Sequence, residues 1–146
     1  MRIVLDTNIL TRSAVSLQGP AHELVKTILG RSGDVLILSE PLISEVRRVL
    51  GRPYFREKRS ITVEDAERFC GALEKQAEMV APVVGVPVIV EDPDDDQILY
   101  TAVAGRADIL CTLDGHFYDP SVKEFCDGKG IRVMEDVTLL ELLRGT

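Results

Sequence analysis

The chain has 146 residues, of which 45% are hydrophobic and 28% charged, a length at which one core forms and a composition that excludes disordered, collagen-like and disulfide-stapled classes. Its formal charge of −7 argues against a protein that coats nucleic acid indiscriminately, while leaving a nuclease open. No apolar run reaches the roughly 20 residues that span a bilayer, and MRIVLDTNIL meets an acid before a signal-peptide core forms, so a cytoplasmic location and no membrane partner are expected.

In chain order, Ile3, Val4 and Leu5 form a continuous apolar run that predicts a strand buried on both faces and ending at Asp6. Ala21 to Leu29 places Leu24, Val25, Ile28 and Leu29 at helical spacing, with Gly30 and Gly33 as stop signals. Val35 to Leu38 predicts a second buried strand, ended by Ser39 as helix N-cap with Pro41 in the first turn. Ile43, Val46, Val49 and Leu50 form that helix's inner face, and Pro53 breaks it. Thr62 caps a further helix running to about Met79, with Ala66, Phe69, Cys70, Leu73 and Ala77 inward. Gly85 and Pro87 interrupt the next apolar stretch and leave Val88, Ile89 and Val90 as the predicted third strand.

After the acidic run EDPDDD, Ile98, Leu99, Ala102 and Val103 share one helical face, closed by Gly105. Ile109 to Cys111 predicts a fourth strand reaching Thr112, Leu113 and Asp114. A short helix over about Asp119 to Cys126, a strand from Ile131 to Met134, and a terminal helix carrying Leu139, Leu140, Leu142 and Leu143 complete the order. Short apolar strands separated by helices are the mark of crossover units on a parallel sheet, so an α/β fold in a single domain over residues 1–146 is expected. Cys70, Cys111 and Cys126 form no C-x-x-C pair and His22 and His116 fall in no zinc spacing, which predicts reduced, buried thiols rather than a zinc site.

In an open parallel sheet, ligands bind outside the carboxyl ends of the strands. Asp6 lies at the end of the first strand, Asp96 in the loop or first helical turn after the third, and Asp114 just past the fourth. Glu45, about one turn into the helix after the second strand, is long enough to lean over the same edge. Four carboxylates crowded on one rim repel one another and resist joint ionisation. A hard divalent ion resolves that conflict: Mg²⁺ and Mn²⁺ take oxygen ligands, activate water and steady the leaving oxygen of a phosphoryl transfer. Asn8 and Thr112 are placed to support the acids with neutral hydrogen bonds.

Each acid also has a plainer reading. Asp92, Asp94, Asp95 and Asp96 suit the capping of a helix, Glu45 an exposed helix position, and Asp114 with Gly115 a turn. A calcium loop starting at Asp92 fails, because Gln97 stands at its glycine position and Val103 at its terminal glutamate position. Charge is also unevenly spread. From Arg47 to Arg59 six basic side chains face Glu57 alone, a local +5 that leaves −12 for the rest. Tyr54 and Phe55 lie inside that run, an arrangement suited to phosphate contacts from Arg47, Arg48, Arg52, Arg56 and Arg59 and to base stacking on Tyr54 or Phe55, although a solvated helix end would read the same way.

The fragments V-L-D-T-N at Val4 to Asn8, S-E-P-L-I-S-E-V at Ser39 to Val46, D-P-D-D-D-Q-I-L at Asp92 to Leu99 and T-L-D-G-H-F at Thr112 to Phe117, in this order, resemble the PIN-domain ribonucleases, and most closely the branch described as toxins of bacterial and archaeal toxin-antitoxin systems. The resemblance implies a three-layer α/β/α sandwich around a mostly parallel sheet of about five strands, and Mg²⁺- or Mn²⁺-dependent endoribonuclease cleavage of RNA. By position it implies Asp6, Glu45, Asp96 and Asp114 as metal-binding, catalytic acids, with Asn8, Thr112 and Asp95 supporting. Asp96 is preferred to Asp95 for the spacing to Ile98 and Leu99. An RNA substrate, a cognate antitoxin and a homodimer are the partners implied. Two other functions compete: a catalytically silent PIN-like module that binds RNA or protein, and a phosphatase or phosphotransfer domain with Asp6 as nucleophile. The second wants an acid two residues on, where Asn8 stands.

Overall fold

A computed structural model describes residues 1–83, 85–89 and 93–145. Among these the chain runs β1 (Arg2–Leu5), α1 (Thr7–Val15), α2 (Pro20–Leu29), β2 (Val35–Ser39), α3 (Glu40–Leu50), α4 (Pro53–Arg59), α5 (Val63–Gln76), β3 (Glu78–Val80), α6 (Pro93–Ala104), β4 (Ile109–Cys111), α7 (Pro120–Gly128), β5 (Arg132–Met134) and α8 (Asp136–Arg144). The strands form one sheet in the order β3-β2-β1-β4-β5, and every pairing is parallel. Val4 at the centre lies opposite Ile37 on one side and Leu110 on the other. The expected α/β sandwich is thus present, with helices flanking a five-stranded sheet.

Burial explains why the central strands are so apolar. Ile3, Val4, Leu5, Leu36, Ile37, Leu38, Ile109, Leu110 and Cys111 are all buried, because parallel strands joined by crossover helices are covered on both faces. The strand order turns back at β1, with connections leading to β2 on one side and to β4 on the other. The carboxyl ends of β1 and β4 therefore border the crevice where such sheets bind ligands. Among the described residues no helix is long and apolar enough to cross a membrane.

Three local expectations are corrected. The third strand is Glu78–Val80, which pairs with Ile37, Leu38 and Ser39, whereas Val88 and Ile89 of the strand expected over Val88 to Val90 lie in no strand. Helix α5 stops at Gln76, Ala77 is already extended, and the chain enters the edge of the sheet at once. Val88 and Ile89 instead donate their backbone N–H groups to Asp96 Oδ1 at 3.1 and 3.0 Å, so these donors serve a side chain rather than a ladder. Val90, Glu91 and Asp92 lie outside the described residues. A helix not anticipated, α1, starts directly after Asp6, whose carbonyl accepts from Ile9 and Leu10. Finally, Pro53 starts α4 as well as ending α3, since a proline in the first turn loses no helical hydrogen bond. The three cysteines are free and buried, as expected, and burial pushes the Cys70 and Cys126 thiols up to about 11.

Candidate active site

Three elements bring acids to the carboxyl edge. Asp6 holds the N-cap position of α1 with extended dihedrals and is only 4% exposed. Thr112, one residue past β4, donates its hydroxyl to Asp6 Oδ2 at 2.6 Å. The same Thr112 oxygen accepts the backbone N–H of Asp114 at 3.0 Å, so one threonine couples the ends of β1 and β4. Asp114 Oδ1 in turn accepts the His116 backbone N–H at 2.9 Å, which fixes the turn after β4. Helix α6 supplies the third acid. Its seat on the sheet is set by Ser39, whose hydroxyl lies 2.7 Å from that of Thr101. Ser39 holds the N-cap position of α3 as expected, but its side chain makes no capping bond.

Asp6, Asn8, Glu45, Arg48, Arg52, Asp95 and Asp114 line a cleft of about 560 Å³. Three of the four expected acids, Asp6, Glu45 and Asp114, meet there, and from the acidic run it is Asp95, expected in support, and not Asp96 that lines the cleft. One position along α6 separates a residue that faces the cleft from one that does not. Asp96 is buried, accepts the Val88 and Ile89 amides, and so holds the segment before α6. Asp95 is brought to His116, whose Nδ1 lies 3.5 Å from Asp95 Oδ2 and 3.6 Å from Asp114 Oδ1. Sequence reasoning gave His116 no role, since it looked for zinc spacing. The usable signal was its place two residues after Asp114 in T-L-D-G-H-F.

The basic run divides in two. Arg48 and Arg52 reach the cleft, and in α4 Tyr54, Arg56 and Arg59 are exposed. Arg47 does not join them. It is bound on α5, pairing with Glu67 at 3.2 Å and with Glu74, and so ties two helices together. The structure thus places Arg47, expected among the phosphate contacts, against acids of α5 and outside the cleft lining, because α3 presents Arg47 and Arg48 to different neighbours.

The electrostatics are those of a site with surplus negative charge. Burial raises the Asp6 carboxyl above the usual carboxylate range, the Thr112 hydrogen bond opposes this, and the Asp114 charge adds to the rise. Glu45 is held below the usual range by its hydrogen bonds from Arg48. The donor set fits a divalent cation. Asp95, Asp114 and His116 each offer a ligand atom, all within 4.8 Å of one another, and Asp6 stands close enough to feel Asp114.

Comparison with known proteins supports the same reading. The family model described as PIN domain matches residues 2–116, a span from β1 through the turn that holds Asp114 and His116. No curated protein matches the chain.

Proposed function

The chain belongs to the PIN-domain family, whose members are generally nucleases, and from that premise we propose that it is a metal-dependent endoribonuclease. The observation that carries this reading is the convergence of Asp6, Glu45, Asp95 and Asp114 on one cleft, with Arg48 and Arg52 in its wall. A bare acidic pocket would repel RNA. Two arginines beside it admit a phosphate and keep it near the acids.

In this reading Asp6, Glu45, Asp95 and Asp114 would together hold Mg²⁺ or Mn²⁺, with His116 beside Asp95 and Asp114. The bound ion supplies the charge that lowers the pKa of a water and steadies the phosphate oxygens. Thr112 is a positioning residue, since it orients Asp6 and the Asp114 turn together. Arg48 and Arg52 grip phosphates beside the scissile one, and Tyr54, 52% exposed, offers a face to an unpaired base. Residues 1–146 then form one nuclease domain. We extend the proposal to a cytoplasmic toxin that pairs as a homodimer and is silenced by a cognate antitoxin. A small neighbouring reading frame with a DNA-binding pattern, and sedimentation at the dimer mass, would support that extension.

The decisive experiment is cleavage of a structured RNA with Mn²⁺ or Mg²⁺, with and without chelator. Cutting should stop in chelator and in Asp6→Asn and Asp95→Asn, each of which removes charge but little volume. Asp96→Asn should behave differently: it weakens the acceptor for Val88 and Ile89, so it lowers thermal stability while retaining measurable cutting. Equal activity in chelator would sink the proposal, and an Asp95→Asn enzyme as active as the wild type would sink this assignment of the third acid.

A further inference from the structure

Glu45 and Arg48 stand three residues apart on α3, and both line the cleft. The Arg48 guanidinium closes a two-bond fork on the carboxylate, donating from Nε to Oε2 at 2.9 Å and from a terminal nitrogen to Oε1. That fork uses both carboxylate oxygens. A divalent ion coordinated by Glu45 would need at least one of them, and an RNA phosphate would need the same two guanidinium donors. Each partner's use in the reaction therefore excludes the pair itself. The pair is also easily opened: Arg48 is 61% exposed and Glu45 41%, and solvent screens such surface pairs strongly.

We infer that Arg48 is an exchange residue, occupying Glu45 in place of a cation until a divalent ion takes the carboxylate and releases the two forked donors to an RNA phosphate. This rests on the metal-dependent reading above and adds to it a coupling between the two ligands. The metal releases the donor that grips RNA, and a phosphate on Arg48 releases the acid that grips metal. By linkage each ligand then tightens the other by the same factor. Arg52 lines the same cleft but influences Glu45 only through its charge at a distance, which makes it the control for simple charge removal.

Calorimetric titration of Mn²⁺ into the full chain, with no nucleic acid present, tests the first half. Arg48→Gln should bind Mn²⁺ about fivefold more tightly than wild type, and Arg52→Gln should gain clearly less. Arg48→Lys, which keeps the charge but cannot fork, should fall between wild type and Arg48→Gln. Repeating the titration with a single-stranded DNA oligonucleotide as phosphate probe tests the second half. The oligonucleotide should tighten Mn²⁺ binding to the wild type and lose that effect in Arg48→Gln. If Arg48→Gln binds no more tightly than Arg52→Gln, or if the oligonucleotide coupling is absent from the wild type or survives in Arg48→Gln, the exchange is overturned while the metal site stands. A wild-type chain that takes up no Mn²⁺ would instead remove the metal-dependent reading, and the exchange with it.

Discussion

At the scale of single residues, Asp6 shows how the site opposes the fold. Its carboxyl is raised above the ordinary 3.8, chiefly by burial, so folding favours the neutral acid. For a group shifted this way, the stabilising contribution is fully present below the unfolded pKa and is lost as pH rises through the folded one. Above its folded pKa the metal-free protein therefore holds a buried carboxylate at a cost, which a bound cation would relieve. Asp6→Asn is neutral at every pH and escapes that loss. In chelator the variant should melt above wild type at pH 7.5, with the gap closing as pH falls toward the ordinary carboxylate range. Saturating Mn²⁺ should raise the wild-type melting temperature and leave the variant unmoved. Thermal melts across that pH range decide it: a variant less stable than wild type in chelator at pH 7.5 would show that Asp6 is a structural acid.

At the scale of elements, close approach matters as much as pattern. Gly105 reads in the sequence as a stop signal for α6, yet its backbone is not in the left-handed region; that conformation falls to Arg106 at φ 50°. What Gly105 provides is space, since an added Cβ would lie 2.6 Å from Ile37 Cγ2 and 2.9 Å from Cδ1. Gly105→Ala should therefore push α6 off β2 and cost about 1–3 kcal/mol by urea unfolding. Combined with Ile37→Ala it should cost less than the sum of the two single changes, because they share one contact. The same contrast explains what the sequence disclosed. β1, β2 and β4 were readable because burial on both faces makes continuous apolar runs. β3 was not, because an edge strand carries exposed Glu78 and Met79, while the apolar pair Val88 and Ile89 owes its place to Asp96. Asp6 was legible because it follows β1 directly, and Asp114 because it stands in the turn three residues past the end of β4. Asp95 and Asp96 are adjacent in a run of like residues, and which one faces the cleft depends on how α6 is rotated, which three identical acids do not encode. His116 escaped because its neighbours are made by a turn and a helix distant in sequence.

At the scale of the whole molecule, the proposed function raises the question of how a chain of net −7 would receive a polyanion. Net charge gives such a protein no long-range attraction, so in the proposed function RNA would have to be met by a local field. The dense basic stretch begins two residues after Glu45, and α4 extends it as an exposed helix with Arg56, Lys58 and Arg59 in its last turn. Arg52, the N-cap of α4, also lines the cleft, which makes α4 a continuous path from solvent to the acids. Arg47 is withdrawn from this path by Glu67 and Glu74. Each phosphate neutralised by an arginine releases condensed counterions, and for single strands the logarithm of affinity falls with that of salt by about 0.7 per phosphate. Replacing Arg52, Arg56 and Arg59 together with Gln should weaken RNA binding and flatten that slope by about 2, since three contacts are lost. Mn²⁺ affinity should not fall, because none of the three carries a metal ligand. Filter binding of a single-stranded RNA across a salt series reads the slope directly. An unchanged affinity and slope in the triple variant would make α4 an ordinary solvated surface or a docking face for a protein partner, and RNA would have to enter the cleft from the Asn8 side.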